Sequence, residues 1–184
     1  YIYPGNETGR AYVFYNGSIT TKNASSADVI ITGETTVNYF GSAMTSGDFN
    51  ADGKTDLAVG AYAYSSGTGR TYLFYNDGSI PTTAATADVI ITGEGLNFSW
   101  SLAAGDWNAD GKTDLAVGSN VYANTGKIYF FYNDGAYPTL ASSADVRIAV
   151  PNFPDQNFGS SLSVGDFNAD GKTDLAVGSP GYSS

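Results

Sequence analysis

The stretch Asp48-Phe-Asn-Ala-Asp-Gly-Lys-Thr-Asp56 decides the reading of this chain, because it occurs three times. It returns as DWNADGKTD at Asp106–Asp114 and as DFNADGKTD at Asp166–Asp174. Each copy places oxygen-bearing side chains at positions 1, 3, 5 and 9 and a glycine at position 6, the pattern by which a short loop wraps a hard cation such as Ca²⁺. In the first loop the candidate ligands are the side chains of Asp48, Asn50 and Asp52, the backbone carbonyl of Lys54 and the carboxylate of Asp56, closing the site with both oxygens. The second loop offers Asp106, Asn108, Asp110, Lys112 and Asp114 likewise, and the third Asp166, Asn168, Asp170, Lys172 and Asp174. Gly53 permits the sharp turn, with an expected positive φ.

An EF-hand is excluded. That motif needs Glu at position 12, where this chain has Val59, Val117 and Val177, and it needs flanking helices. Mg²⁺ fits less well, since it keeps several of its waters. The alternative is a metal-free hairpin, because Asp, Asn and Gly all favour turns. Three aspartates within nine residues would repel one another without a cation. The expectation is therefore Ca²⁺ in three structural sites, each pinning a strand connection.

The charge follows the same loops. They hold nine of the 18 acidic residues in a chain of 184 residues with net charge −10, so three divalent cations would offset more than half of it. Lys and Arg number 8 and do not cluster, which argues against nucleic acid as a partner. With no Cys, no disulfide braces the fold, and with no His the usual general base and zinc ligand are missing. No apolar run reaches membrane-spanning length. A start at Tyr1, without a leader, reads as a processed or excised product.

Likeness between units extends beyond the loops, at a spacing of about 60 residues. GRAYVFYNG (Gly9–Gly17), GRTYLFYNDG (Gly69–Gly78) and GKIYFFYNDG (Gly126–Gly135) form one set. SADVIITGE (Ser26–Glu34), TADVIITGE (Thr86–Glu94) and SADVRIAVP (Ser143–Pro151) form another. DLAVGA or DLAVGS follows each loop, from Asp56, Asp114 and Asp174. Four short β-type runs per unit result: A before the loop, B after it, C the Tyr/Phe run and D the Asp-Val-Ile run. Run C is apolar at consecutive positions (Tyr72, Leu73, Phe74, Tyr75), so both its faces must be covered, which argues for stacked radial sheets. The fold class expected is all-β, with four-stranded antiparallel propeller blades and half blades at both termini. The 184 residues form one propeller segment with units 1–37 (C, D), 38–95 and 96–154 (whole blades) and 155–184 (A, B).

These motifs resemble the FG-GAP repeat of the integrin α-subunit β-propeller and its microbial relatives. Phe40-Gly41 and Phe158-Gly159 supply the first half of the signature; Gly60-Ala61, Gly118-Ser119 and Gly178-Ser179-Pro180 supply the second. The middle unit departs, with Ser99 after Phe98 and Asn120 in place of Pro. The resemblance implies a Ca²⁺ loop between strands A and B on one face of the disc, and ligand binding on the opposite face.

Other features carry weaker signals. Phe49, Trp107 and Phe167 share one loop position and read as aromatics packed beneath the loops rather than as a sugar platform. Trp100, aligned with Ser42 and Ser160, is a candidate ligand contact, against a local packing variation. Sequons at Asn6, Asn16, Asn23 and Asn97 are candidate glycosylation sites. Arg10, Arg70 and Lys127 read as solvated strand ends; Asp28, Asp88 and Asp145 read as strand starts.

The order C-D, A-B-C-D, A-B-C-D, A-B leaves complementary halves at the two ends. Fewer than four blades do not close a ring. Either two copies close one, or copies add head to tail as a filament by terminal strand complementation, or the chain is an excerpt of a longer propeller. The functional expectation is a non-catalytic, extracellular or cell-surface calcium-binding module for adhesion, recognition or self-assembly, with further copies of itself or protein or glycan ligands as partners. The alternatives are a carbohydrate-binding lectin and, behind it, the propeller part of a polysaccharide-processing enzyme.

Overall fold

Twelve strands order the computed structural model of this protein, which describes residues 8–17, 23–121, 126–150 and 157–181. They are β1 (Arg10–Val13), β2 (Val29–Thr32), β3 (Met44–Gly47), β4 (Asp56–Ala61), β5 (Arg70–Phe74) and β6 (Val89–Thr92) in the first half. In the second half they are β7 (Phe98–Gly105), β8 (Asp114–Ser119), β9 (Lys127–Phe131), β10 (Val146–Ala149), β11 (Ser161–Gly165) and β12 (Asp174–Gly178). Strands β3–β6 and β7–β10 each form a four-stranded antiparallel meander, and β1–β2 and β11–β12 each form a two-stranded sheet. The fold is all-β, and its two four-stranded sheets are propeller blades flanked by half blades. The acidic loops join β3 to β4, β7 to β8 and β11 to β12.

Burial explains the consecutive apolar residues of run C. In β5 the side chains of Tyr72, Leu73 and Phe74 are all buried, and so are Ile128, Tyr129 and Phe131 in β9. Alternate residues of a strand point to opposite faces, so each of these strands is covered on both. The covering comes from neighbouring sheets: one core joins Leu73 and Ile91 of the first blade to Phe98, Leu115, Val117 and Tyr129 of the second. Burying a Leu, Ile or Phe contributes about 1.5–3 kcal/mol each, so this apolar contact is the main force holding blade to blade.

In the two whole blades the Phe that opens run A is a wedge. Phe40 packs edge-on against Tyr72 and Phe74, with centroids at 5.4 and 6.3 Å. Phe98 repeats the arrangement on Tyr129 and Phe131 at 5.2 and 6.5 Å. Backbone bridges Gly9–Phe40 and Gly126–Phe158 tie the phenylalanines of the two Phe-Gly pairs to the preceding sheet. Hydrogen bonds from Thr32 N–H to the Thr82 carbonyl and from Thr92 N–H to the Thr139 carbonyl, both 2.9 Å, tie run D of one sheet to the next sheet's C–D connection.

Several local readings change on contact with the structure. In the middle unit Ser99 keeps the left-handed backbone of the glycines it replaces, with φ of 70° against 89° at Gly41 and 84° at Gly159. Its side chain is fully buried, and its hydroxyl lies 2.9 Å from the Thr71 hydroxyl. The departure from Phe-Gly is thus accommodated by a hydrogen bond, and the register shift between Phe98 and Ser101 has its counterpart in the first unit, where Gly41 N–H meets the Gly60 carbonyl and Gly60 N–H the Ala43 carbonyl. Arg70 and Lys127 are not solvated strand ends. Arg70 Nη1 pairs with Glu34 at 2.8 Å and its guanidinium lies over the Tyr64 ring; Lys127 Nζ pairs with Glu94 at 3.1 Å. Each pair joins one sheet to the next. Asp28, Asp88 and Asp145 do more than start strands. Their carboxylates accept the N–H of Tyr15, Tyr75 and Tyr132, each at 2.8 Å, and so tie the end of run C to the start of run D. Short 3₁₀ turns (Ala24–Ser26, Ala84–Thr86, Ala141–Ser143) precede run D in every unit, a feature that the strand pattern does not announce.

Candidate metal loops and the opposite face

The three acidic loops fold alike, bond for bond. In the first, Asp48 accepts the N–H of Asp52 at 3.0 Å and of Gly53 at 2.8 Å, Asn50 accepts Asp52 N–H at 3.0 Å, and Asp52 accepts Lys54 N–H at 2.9 Å. The second loop repeats these contacts at 3.1, 2.9, 3.0 and 2.9 Å. The third repeats them at 3.0, 2.8, 2.9 and 2.9 Å. Gly53, Gly111 and Gly171 have φ of 83°, 82° and 81°, the positive value expected of the sixth position. Ala51, Ala109 and Ala169 are also left-handed, at 59°, 59° and 60°, which sequence alone did not suggest. A non-glycine residue held there costs about 1–2 kcal/mol; three successive loops bear that cost for the same bend.

The ninth position is the most constrained. Asp56 and Asp114 are 1% and 0% exposed. Asp56 accepts Phe49 N–H on one oxygen and Asn76 N–H on the other, both at 2.8 Å. Asp114 accepts Trp107 N–H at 3.0 Å and Asn133 N–H at 2.8 Å. Each carboxylate thus ties the loop's second residue to the end of run C in the same blade. Asp174, half-buried, accepts Phe167 N–H at 2.8 Å. Burial pushes the Asp56 and Asp114 carboxyls up, while the amides they accept, led by Asn76 and Asn133, pull against it. Asp52 is held below the usual carboxylate range, first by the Lys54 amide and then by the Lys54 side chain.

Among the described residues no three carboxylates are gathered into a ready cage. The loop carboxylates instead accept loop amides. A carboxylate has about four acceptor positions, so those accepting two amides keep capacity for a cation. The donors at positions 1, 3, 5, 7 and 9 are all oxygens, which fits a hard cation of the calcium type and not a soft metal. Side chains distinguish the loops: Lys54 Nζ lies 3.1 Å from Asp52, Lys112 Nζ is turned to the Asn133 carbonyl at 3.1 Å, and Asn168 donates its side-chain N–H to Asp170 at 3.2 Å.

The position-2 aromatics pack beneath the loops in the first two units. Phe49 lies edge-on to Tyr137 at 6.3 Å, and Trp107 to Phe130 at 5.3 Å. Phe167 is 63% exposed, and no described sheet follows to face it.

At the other end of the blades lies an aromatic tier. Tyr39 stacks on Tyr62 at 5.1 Å, and Tyr62 meets Trp100 at 4.7 Å. The same two connections carry a cavity of about 560 Å³, lined by Thr35, Thr36, Val37, Asn38, Ser65 and Ser66 among others. Val37, Tyr39, Ser65 and Ser66 all have positive φ. Trp100 is thus part of an aromatic group rather than isolated. Of the sequons, Asn16 and Asn23 are exposed. Asn97 is half-buried, donates to Asn120 at 3.1 Å, and is followed by the buried Ser99. Asn6 lies outside the described residues.

Comparison with known proteins agrees with this architecture. The FG-GAP repeat family model matches residues 158–184, and that of the FG-GAP-like repeat matches residues 48–117. Phosphatidylinositol-glycan-specific phospholipase D of Bos taurus is 38% identical over 156 residues, covering 76% of this chain and 18% of that protein. Integrin alpha-PS5 of Drosophila melanogaster is 38% identical over 152 residues, covering 77% of this chain and 14% of the integrin. Human integrin alpha-7 is 39% identical over 101 residues, covering 50% and 8%. The chain thus spans less than a fifth of the length of these relatives. No helix among the described residues is long and apolar enough to cross a membrane. Repeats, blades and relatives together make this chain a member of the FG-GAP repeat family, related to the integrin α subunits.

Proposed function

We propose that the chain is a non-catalytic, extracellular recognition module whose A–B connections are held by calcium. The observation that carries this reading is the threefold identity of the loops, with the same oxygens on the same amides and two left-handed residues at the same positions. Asp48, Asn50, Asp52, the Lys54 carbonyl and Asp56 would hold the first ion, and their counterparts the other two. Calcium supplies no reaction here; it offsets the loop charge and ties the two strands to one centre. Extracellular calcium modules work at 10⁻⁴–10⁻³ M, where such exposed loops fill. Outside the loops, Asp28, Asp88, Asp145, Glu34 and Glu94 are engaged with backbone amides or basic side chains, which supports a structural and not a catalytic use. Equilibrium dialysis should find three bound calcium ions per chain. Fewer than one per chain at millimolar calcium would refute the reading.

A second reading is favoured by the aromatic tier. Tyr39, Tyr62 and Trp100 beside a cavity with uncharged lining suit a neutral glycan, whose C–H faces stack on rings while the exposed Ser65 and Ser66 meet its hydroxyls. On a glycan array, binding should be lost in Trp100→Ala and Tyr62→Ala while thermal stability changes little. An array without any hit removes this second reading and leaves the first intact.

A further inference from the structure

We propose that neighbouring metal loops are coupled, so that a cation in one raises the affinity of the next, through direct loop-to-loop contact and the turn at residues 133–137. This inference rests on the calcium reading above. A Cβ placed on Gly47 would lie 2.5 Å from the Thr113 methyl, and one on Gly105 would lie 2.6 Å from the Thr173 methyl. Gly47 immediately precedes Asp48, the opening residue of the first loop, and Thr113 immediately precedes Asp114, the closing residue of the second. The same relation links the second loop to the third. The glycines are needed for this approach, since any side chain there would occupy the space of the threonine methyl.

The turn after β9 bridges the same pair of loops. Tyr137 donates its hydroxyl to the Thr113 carbonyl at 3.1 Å, and its ring stands edge-on to Phe49 of the first loop at 6.3 Å. Asn133 donates its N–H to Asp114 at 2.8 Å and reaches the Asp48 carbonyl with its side chain at 3.5 Å. One short segment therefore touches the opening of the first loop and the closing of the second. A cation that orders either loop fixes this shared segment, and the next ion then meets a loop with less freedom left to lose. Coupling of this kind is reciprocal between sites. Ile80 stands where Tyr137 does, so the first blade lacks this hydroxyl.

Terbium is the probe. Trp107 is the sole tryptophan within a loop, and Trp100→Phe makes it the sole tryptophan of the chain, so tryptophan-sensitised terbium luminescence reports the second loop and, across the Gly105–Thr173 contact, the third; with the third loop impaired it reports the second alone. Impairing the first loop by Asp48→Asn with Asp52→Asn should raise the terbium concentration for half-saturation about five-fold or more. Impairing the third by Asp166→Asn with Asp170→Asn should do the same and serves where the first pair fails to fold. Adding Thr113→Ser with Tyr137→Phe should shrink the shift caused by the first-loop pair, and an undiminished shift overturns the assigned route. An unchanged half-saturation in both loop-impaired proteins overturns the coupling alone. Absence of saturable binding in the Trp100→Phe protein with all three loops intact overturns the calcium reading, and the coupling with it.

Discussion

Chelation of calcium is expected to lower the thermal unfolding midpoint by on the order of 10 °C. A ligand that binds only the folded chain stabilises it by about 1.4 kcal/mol at a ten-fold excess over its dissociation constant, the ratio that millimolar calcium gives at a site of about 10⁻⁴ M, so three sites contribute about 4 kcal/mol. For a chain of this size, each kcal/mol moves the midpoint by about 2–4 °C. The comparison is a thermal melt in millimolar calcium against the same buffer with a calcium chelator. Magnesium should restore only a small part, because it dehydrates reluctantly. A midpoint that moves by less than about 2 °C would mean that the loop amides alone hold these hairpins.

The second large effect concerns Asp114. Its carboxylate is fully buried and accepts two backbone amides from different segments. Asp114→Ala leaves both donors without an acceptor, and each unsatisfied buried group costs about 1–3 kcal/mol, so a loss of about 4 kcal/mol is expected. Asp56→Ala should be equivalent, since Asp56 makes the same two contacts. Asp174→Ala should cost clearly less, because Asp174 is half-buried and holds the Phe167 amide alone among the described contacts. Denaturant titration in chelator isolates this amide contribution from any contribution of the metal. Equal losses at all three aspartates under those conditions would contradict the assignment.

Much of the architecture was legible because each motif appears three times. The run Tyr72-Leu73-Phe74 required cover on both faces, and β5 has it. Position 6 of the loop required a left-handed glycine, and Gly53 is one. The contacts between units were harder to see. Glu34 and Arg70 belong to different blades, and nothing in a linear repeat states how far one blade turns relative to the next. The Thr113–Gly47 contact and the bridging role of Tyr137 depend on that same rotation. Ala51 was missed for another reason: alanine carries no signal for left-handed backbone, and the flanking Asx hydrogen bonds impose it. The two amides on Asp56 were hidden behind its candidate role as a ligand, since the same carboxylate chemistry serves both.

The Glu34–Arg70 and Glu94–Lys127 pairs sit at the end of the blades remote from the acidic loops, while the glycine–threonine contacts sit at the loop end. The two whole blades are therefore riveted at top and bottom, by Glu94–Lys127 at one end and Gly47–Thr113 at the other. A tensile load that tries to splay one sheet from its neighbour must rupture a polar rivet and a close-packed steric rivet together, with the apolar layer between them. These two blades should consequently part under pulling in one step rather than by peeling strand from strand.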